Sequence, residues 1–444
     1  MTDHKNSFLQ NIYKTVGPGL LFASAAIGTS HLVLSTRAGA HHGMIFFWII
    51  AGVMLLKYPF YEFGPRYANA TGNSLIKGYK DQGTWAVLVF LLVIVVSMFA
   101  VPAAIAAVSA GLIATIFGVT GISVPVLAGI ILGISVLLLL MGGYGGLEKV
   151  IKFISVVLFV SVIIAFVAVL QKGQVEAIEN FQPTPTLEGA GLGLLIGLLG
   201  WMPAGMEAST MNSIWRVEKT KASGFRPSLR ESLFDFNLGF VFTLLLALMF
   251  LTIGAFSVFG TGVVLDGNAT QFSNKLLQIF VSNVGDWSYY IIAFAAFGAI
   301  YGTLLTVLDA YPRCFARGLR VLKYESYLDN EEQNNFIKRL YQWSVIIIGL
   351  GSFALFYFSA TSMLQILEYV TILSFILSPM IAFLNLRVIS SSNLPQSHRP
   401  SQMLLVLAYI GLIALTLFAI YYVCLLYTSP SPRDATLARM PSSA

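Results

Sequence analysis

The sequence predicts an all-α, polytopic membrane protein of about eleven transmembrane helices, and three observations carry that expectation. Of its 444 residues 57% are hydrophobic and only 10% are charged, against about a quarter charged in soluble domains. Apolar runs of about twenty residues, the length that crosses a bilayer, recur along the whole chain, and mean hydropathy is +0.80. From Thr84 to Leu147 there is no Asp, Glu, Lys or Arg, a stretch that needs at least two spans.

Read in order, the spans fall near 16–40, 43–65, 85–117, 123–141, 148–171, 187–215, 233–260, 287–312, 340–359, 363–387 and 402–426. The polar start MTDHKNSFLQNIYK has no cleavage site, so the first helix reads as a retained span. An odd number of spans puts the termini on opposite sides. With the N-terminus cytoplasmic, twenty of the 26 Lys and Arg fall at cytoplasmic ends, in clusters such as Arg216/Lys219/Lys221/Arg226/Arg230 and Arg313/Arg317/Arg320/Lys323. This is the positive-inside pattern and predicts an inner (plasma) membrane protein with that orientation. The formal charge of +6 is therefore topological, and no nucleic-acid partner is implied. Cys314 and Cys424 fit neither a disulfide framework nor a zinc pattern.

Connections are short, so residues 1–426 read as a single transmembrane domain. Polar loops are expected at 216–232 and 313–339, and a membrane-end turn at GGYGG, 142–146. The tail 427–444 (YTSPSPRDATLARMPSSA from Tyr427) is Ser/Pro-rich without apolar periodicity. It reads as disordered and possibly non-native, similar to a translated adapter read-through.

Two spans are interrupted. The first carries Gly28-Thr29-Ser30-His31 near its middle, and the sixth carries Met202-Pro203-Ala204-Gly205. Proline removes a backbone donor and strains the preceding turn. Freed backbone groups are tolerated in lipid only where they line a cavity or bind something. The two breaks lie five spans apart, as in two inverted halves of five (about 16–171 and 187–387, with an eleventh helix at 402–426). Such pairs mark the central site of a transporter; each alone would read as a packing kink.

At these residues the chain resembles the natural resistance-associated macrophage protein (Nramp) family of divalent-metal transporters. The segment GPGLLFASAAIGTSHLVLSTRAGAHHG aligns without gaps to that family's first helix, RYANATGNSL follows the second, GGYGGLEKVI opens the fifth and Met202-Pro203 begins the sixth-helix motif. The resemblance spans helices 1–10 and implies the LeuT-like 5+5 inverted-repeat bundle of the APC superfamily, working by alternating access. The metal chemistry departs from it. Family members place Asp-Pro-Gly-Asn where this chain has Gly28-Thr29-Ser30-His31, and Pro-His-Asn where it has Pro203-Ala204-Gly205. The acids of the third helix are missing from FAVPAAIAAVSAG. Of the family's ligands only Met202 stands in register. Divalent ions of the Mg²⁺/Mn²⁺ kind want anionic oxygens, so a site of His31, Met202 and carbonyls would hold them poorly.

The candidate substrate-binding residues are Gly28, Thr29, Ser30, His31, Met202, Ala204, Gly205 and Glu207. His31 could ligate a softer metal with Met202, carry a proton, or bond a neighbouring carbonyl as a structural group. Thr29 and Ser30, at a helix break with free N–H groups, suit a carboxylate; a methionine on such a helix is otherwise packing. Glu207 is an intramembrane acid, costly unless used or paired, for instance with Lys57. Thr303, Thr306 and Asp309, read as one helical face, could with His31 and Glu207 hold a coupling H⁺ or Na⁺; Asp309 also forms an i,i+4 pair with Arg313. Glu62 and Arg66 form a second such pair, Glu368 sits near the outer end of span 10, and His41 and His42 read as solvated. No nucleophile–base arrangement, phosphate loop or Cys/His cluster appears, so no enzyme and no cofactor is expected. The expected partners are the bilayer and a small solute. That solute is a metal ion by the family's default with altered selectivity, an amino acid or carboxylate as the alternative, or the ligand of a non-transporting relative.

Overall fold

The computed structural model describes residues 15–183, 185–187, 189–265, 268–324, 331–359 and 362–428, without side chains at 142–152, 154, 155, 189, 190 and 426–428. Of the tail expected at 427–444, Tyr427 and Thr428 instead continue the last helix, and 429–444 lie outside the described residues. All described secondary structure is helical. Among the described residues nine helices are long and apolar enough to cross a membrane, and two shorter apolar ones, Val156–Lys172 and Gly191–Trp201, stand where the fifth and sixth spans are expected.

The first span, α1 (Pro18–His42), starts on a proline in its first turn, where the missing N–H costs nothing. Its middle, Ile27–Ser35, takes π-type hydrogen bonding, and Gly28 leaves helical geometry altogether (φ −61°, ψ −109°). All nine residues of this segment are buried. Next come α2 (Ile45–Thr71), the short α3 (Leu75–Gln82) and α4 (Thr84–Phe117).

Backbone helix runs without interruption through α5 (Val124–Lys172), where a turn at 142–146 is expected. Yet its two halves touch the same neighbour, α10 (Tyr289–Lys323). Ser135 bonds Tyr301, while Ser161 and Val162 face Ile292, Ala295 and Ala296. A straight rod would hold Ser135 and Ser161 about 39 Å apart, whereas Ala296 and Tyr301 are only about 8 Å apart along α10. The two halves therefore do not lie on one straight axis, and residues 142–146, expected as a turn, carry helical backbone.

The sixth span divides as expected, into α6 (Gly189–Trp201) and α7 (Ala208–Ser223), with non-helical residues between them. Then follow α8 (Leu229–Val258), α9 (Ala269–Val284), α10, α11 (Glu331–Phe358), α12 (Met363–Ile389) and α13 (Gln402–Thr428). Capping boxes start α8 (Ser228/Glu231), α9 (Asn268/Gln271) and α12 (Ser362/Gln365), satisfying N–H groups that have no partner in the helix. Both polar connections are shorter than expected. The 216–232 loop shrinks to 224–228, and the 313–339 segment is helical to Lys323 and again from Glu331. The amphipathic α3 and α9 were not anticipated; α9 buries Phe272, Leu276, Leu277 and Phe280, one face at helical spacing.

Within the bundle α1 packs on α8, α2 on α7 and α8, α6 on α12, and α4 on α10 and α12. Without water to drive apolar surfaces together, membrane helices associate by close backbone approach across small residues. A Cβ on Gly39 or Gly254 would overlap backbone of the facing helix along the α1–α8 seam. Along the α6–α12 seam Gly193, Gly197 and Gly200 meet Glu368, Thr371 and Phe375.

Candidate functional site

The two breaks face each other. Between them lies a cavity of about 40 Å³, lined by Thr29 and Ser30 of α1, Ala204, Gly205 and Glu207 of the second break, Met211 of α7, and Thr303, Val307 and Tyr311 of α10. That volume accommodates a small ion or a water or two. Gly28 stands beside the cavity and not on its lining; α10 presses against it, so that a Cβ at Gly28 would overlap Thr303 Oγ1 and come within 2.6 Å of Thr303 Cβ. Thr303 Oγ1 in turn donates to the Ser24 carbonyl at 2.6 Å, holding α10 on α1.

Glu207 is 5% exposed and stands at the N-cap of α7, where the helix dipole favours a negative charge. Its carboxylate lies over Gly205 and accepts the Tyr311 hydroxyl at 2.8 Å. The Thr29 hydroxyl is buried with no hydrogen-bond partner, a standing deficit that a ligand in the cavity would relieve. Tyr61 of α2 donates to the Ala204 carbonyl and reaches that of Gly205 at 3.2 Å, compensating acceptors the break leaves open.

Lys57 does not close an ion pair with Glu207, though the two charges interact electrostatically. Its ammonium is fully buried and donates to the Gly200 carbonyl at 2.8 Å, at the C-terminal end of α6.

Several predicted residues lie elsewhere. His31 is fully buried but turned away: Nε2 donates to the Thr243 carbonyl of α8 at 3.1 Å, and Nδ1 is 2.8 Å from Ser30 Oγ. The structural role, one of the readings open from sequence, is what the geometry supports. Met202 is fully buried and does not line the cavity; Met211 is the thioether that does. Thr306 is engaged by the Gly302 carbonyl at 2.6 Å and lies 3.5 Å from Ser24 Oγ. Thr303 and Asp309 do not share a face. Six residues at 100° each leave them 120° apart, and the stripe on the cavity is Thr303, Val307 and Tyr311. Asp309 instead accepts from Arg313 at 2.7 Å, Tyr341 at 2.8 Å and Trp215 at 3.4 Å. Arg66 and Glu62 pair as expected at 2.8 Å. His42, expected to be solvated, is 6% exposed and packs on Phe46 with ring centroids 4.8 Å apart. Among the described residues no group of three or more His, Cys, Asp or Glu could hold a metal ion.

Sequence reasoning missed Tyr61, Tyr311 and Met211, and also a latch beside the site. Asp235 of α8 accepts the N–H groups of Gly17 (3.0 Å) and Gly19 (2.9 Å) at the start of α1, and pairs with Arg216 of α7. The pair is almost fully buried. An acid two residues inside the seventh span was its only signal.

Helix breaks at matching positions, meeting over a cavity in a bundle of nine candidate spans and two shorter apolar helices among the described residues, define a secondary transporter of the LeuT fold. The particular family follows from comparison. A family model for natural resistance-associated macrophage protein-like proteins matches residues 19–425. The chain is also 31% identical, over 93% of its length and 92% of the relative's, to an uncharacterized protein of Pasteurella multocida strain Pm70. The chain belongs to the Nramp-like family of secondary metal-ion transporters. A single-residue variant of the manganese transporter of Eremococcus coleocola superimposes with a TM-score of 0.64 at 15% identity, covering 98% of this chain and 92% of that one. The nucleobase-cation symporter Mhp1 gives 0.55 at 14%, covering 95% of each chain. MhsT in complex with L-phenylalanine gives 0.56 at 12%, covering 91% and 97%. These likenesses show the fold.

Proposed function

We propose that the protein carries a small cation across the inner (plasma) membrane by alternating access, with the ion seated against Glu207 between the two breaks. It acts as a transporter, not an enzyme. The observation that carries this reading is the Glu207 carboxylate, which faces a cavity that also holds the unpartnered Thr29 hydroxyl. Oxygen donors suit hard cations. With one carboxylate on the cavity a divalent ion is only half neutralised, which supports selectivity altered from the family's default. The family match supports a metal ion as the cargo and an ion-coupled cycle with H⁺ or Na⁺. The positive-inside distribution supports a cytoplasmic N-terminus, and the paired breaks support halves near 16–171 and 187–387 within one domain, residues 1–426.

The alternative cargo, an amino acid or carboxylate, would bring its own negative charge against Glu207, and a cavity of about 40 Å³ holds only a fragment of such a solute. The test is uptake into liposomes by the purified protein, with Mn²⁺, Mg²⁺ and an amino-acid panel side by side. Metal uptake abolished by Glu207→Gln supports the proposal. Uptake of an amino acid without any metal flux overturns it, and tight ligand binding without flux points to the non-transporting relative.

A further inference from the structure

A second polar cavity, of about 320 Å³, lies at the Ser223 end of α7, between α7, α10 and α11, well separated from the helix breaks. Its walls carry five cationic side chains, Lys221, Arg313, Arg317, Arg320 and Lys338, and one carboxylate, Glu218. The positive-inside rule explains why basic residues gather at this end of the bundle. It does not explain why they converge on a shared concavity, nor why two of the arginines are buried.

Glu218 accepts from Arg317 Nη2 and lies 3.8 Å from Arg313 Nη1. Arg313 is otherwise committed to Asp309, and its guanidinium stacks 4.8 Å above the Tyr341 ring. Arg320 Nε donates to Gln333 at 2.9 Å. Glu332, at the start of α11, is taken by the Tyr324 hydroxyl at 3.0 Å. The Arg317 side chain is 8% exposed, and its Nη1 is buried without a hydrogen-bond partner. A buried guanidinium nitrogen left open carries a desolvation cost that only an acceptor can return. Lys338, by contrast, is exposed, at the mouth of the cavity.

We propose that this cavity binds a phosphate-bearing anion, and that its occupancy fastens α7 to α10 and α11. Guanidinium forks on a buried wall match the paired oxygens of a phosphate. The volume equals that of about ten waters, ample for a phosphate group with part of its hydration shell. The consequence reaches the transport site through one rigid element. Glu207 caps the N-terminus of α7 and Glu218 and Lys221 stand on the same helix, so an anion bridging it to α10 and α11 holds the carboxylate end in place. A phospholipid headgroup and a soluble phosphate compound offer the same chemistry.

The experiment heats the purified full-length protein in neutral detergent with inorganic pyrophosphate, with phosphatidylglycerol, or with phosphatidylcholine. It reads binding alone, so its result is independent of which cargo the transporter moves. A saturable rise in melting temperature is expected with one or both phosphate anions beyond that given by phosphatidylcholine. Lys338→Glu should raise the half-saturating concentration by about tenfold. Lys80→Gln, a partly exposed cation outside the cavity, should leave it unchanged. Arg317→Gln should act as Lys338→Glu does; if that variant does not fold, Lys338→Glu decides alone. A response to phosphatidylglycerol only identifies a lipid headgroup, a response to pyrophosphate only a soluble anion, and a response to both the phosphate group itself. Absence of any saturable response, or an equal response in Lys338→Glu, overturns the proposal, as does an equal loss in Lys80→Gln.

Discussion

The ammonium of Lys57 donates to the carbonyl of Gly200, so a buried side-chain cation occupies the negative end of the half-helix α6. Metal ions and protons are held at such helix ends in broken-helix transporters; here the chain supplies a charge of its own. Lys57 is within electrostatic range of Glu207, so its positive charge opposes that of a cationic cargo seated there. Replacing Lys57 by Met should therefore tighten apparent affinity for a cationic cargo, on the order of tenfold for a unit charge removed at partly screened range. Concentration dependence of uptake measures this, and unchanged or weaker affinity would refute it.

Glu207→Gln keeps the shape and the Tyr311 hydrogen bond but removes the charge. Cation uptake should fall by at least about tenfold, while the melting temperature holds or rises, because a buried carboxylate no longer has to be desolvated. A large loss of both together would mean that the carboxylate is structural.

His31→Gln tests the residue whose sequence context looked most chemical. Both ring nitrogens are engaged within the protein, one by Thr243 and one by Ser30. The variant should lose about 1–3 kcal/mol of stability from buried groups left unpaired. The ratio of Mn²⁺ to Mg²⁺ uptake should not move; a changed ratio would restore His31 as a ligand.

Gly28→Ala places a methyl group where Thr303 already sits. Overpacking should cost about 1–3 kcal/mol, read as a lower melting temperature with reduced uptake. Adding Thr303→Ala should recover only part, since the Thr303 Cβ itself stands 2.6 Å from the new group. Full recovery would show that the hydroxyl alone makes the contact.

The spans and both breaks were legible because a bilayer imposes length and apolarity on every crossing, and because glycine and proline act locally. Side-chain direction was not. Along α10 the acid at Asp309 drew attention, but the helix is rotated so that Tyr311 faces the cavity and Asp309 faces Trp215, Arg313 and Tyr341. That rotation is set by Thr303 pressing on Gly28, a contact between residues 275 apart. The same limit hid Asp235, whose partners come from α1 and α7. Amphipathic α9 escaped notice because its buried face is written in only a few apolar residues between two strongly apolar spans.

Asp235 holds two backbone N–H groups at the start of α1 and the guanidinium of Arg216 on α7. These are the same-side arms of the two broken helices, each hinged at the cavity. Pinned to a single carboxylate, they cannot swing independently: a force that moves one arm is transmitted to the other with little slack. Opening on that side then becomes the stroke of a coupled pair of levers, and the compliance of the whole gate is set by one oxygen-lined pivot on α8.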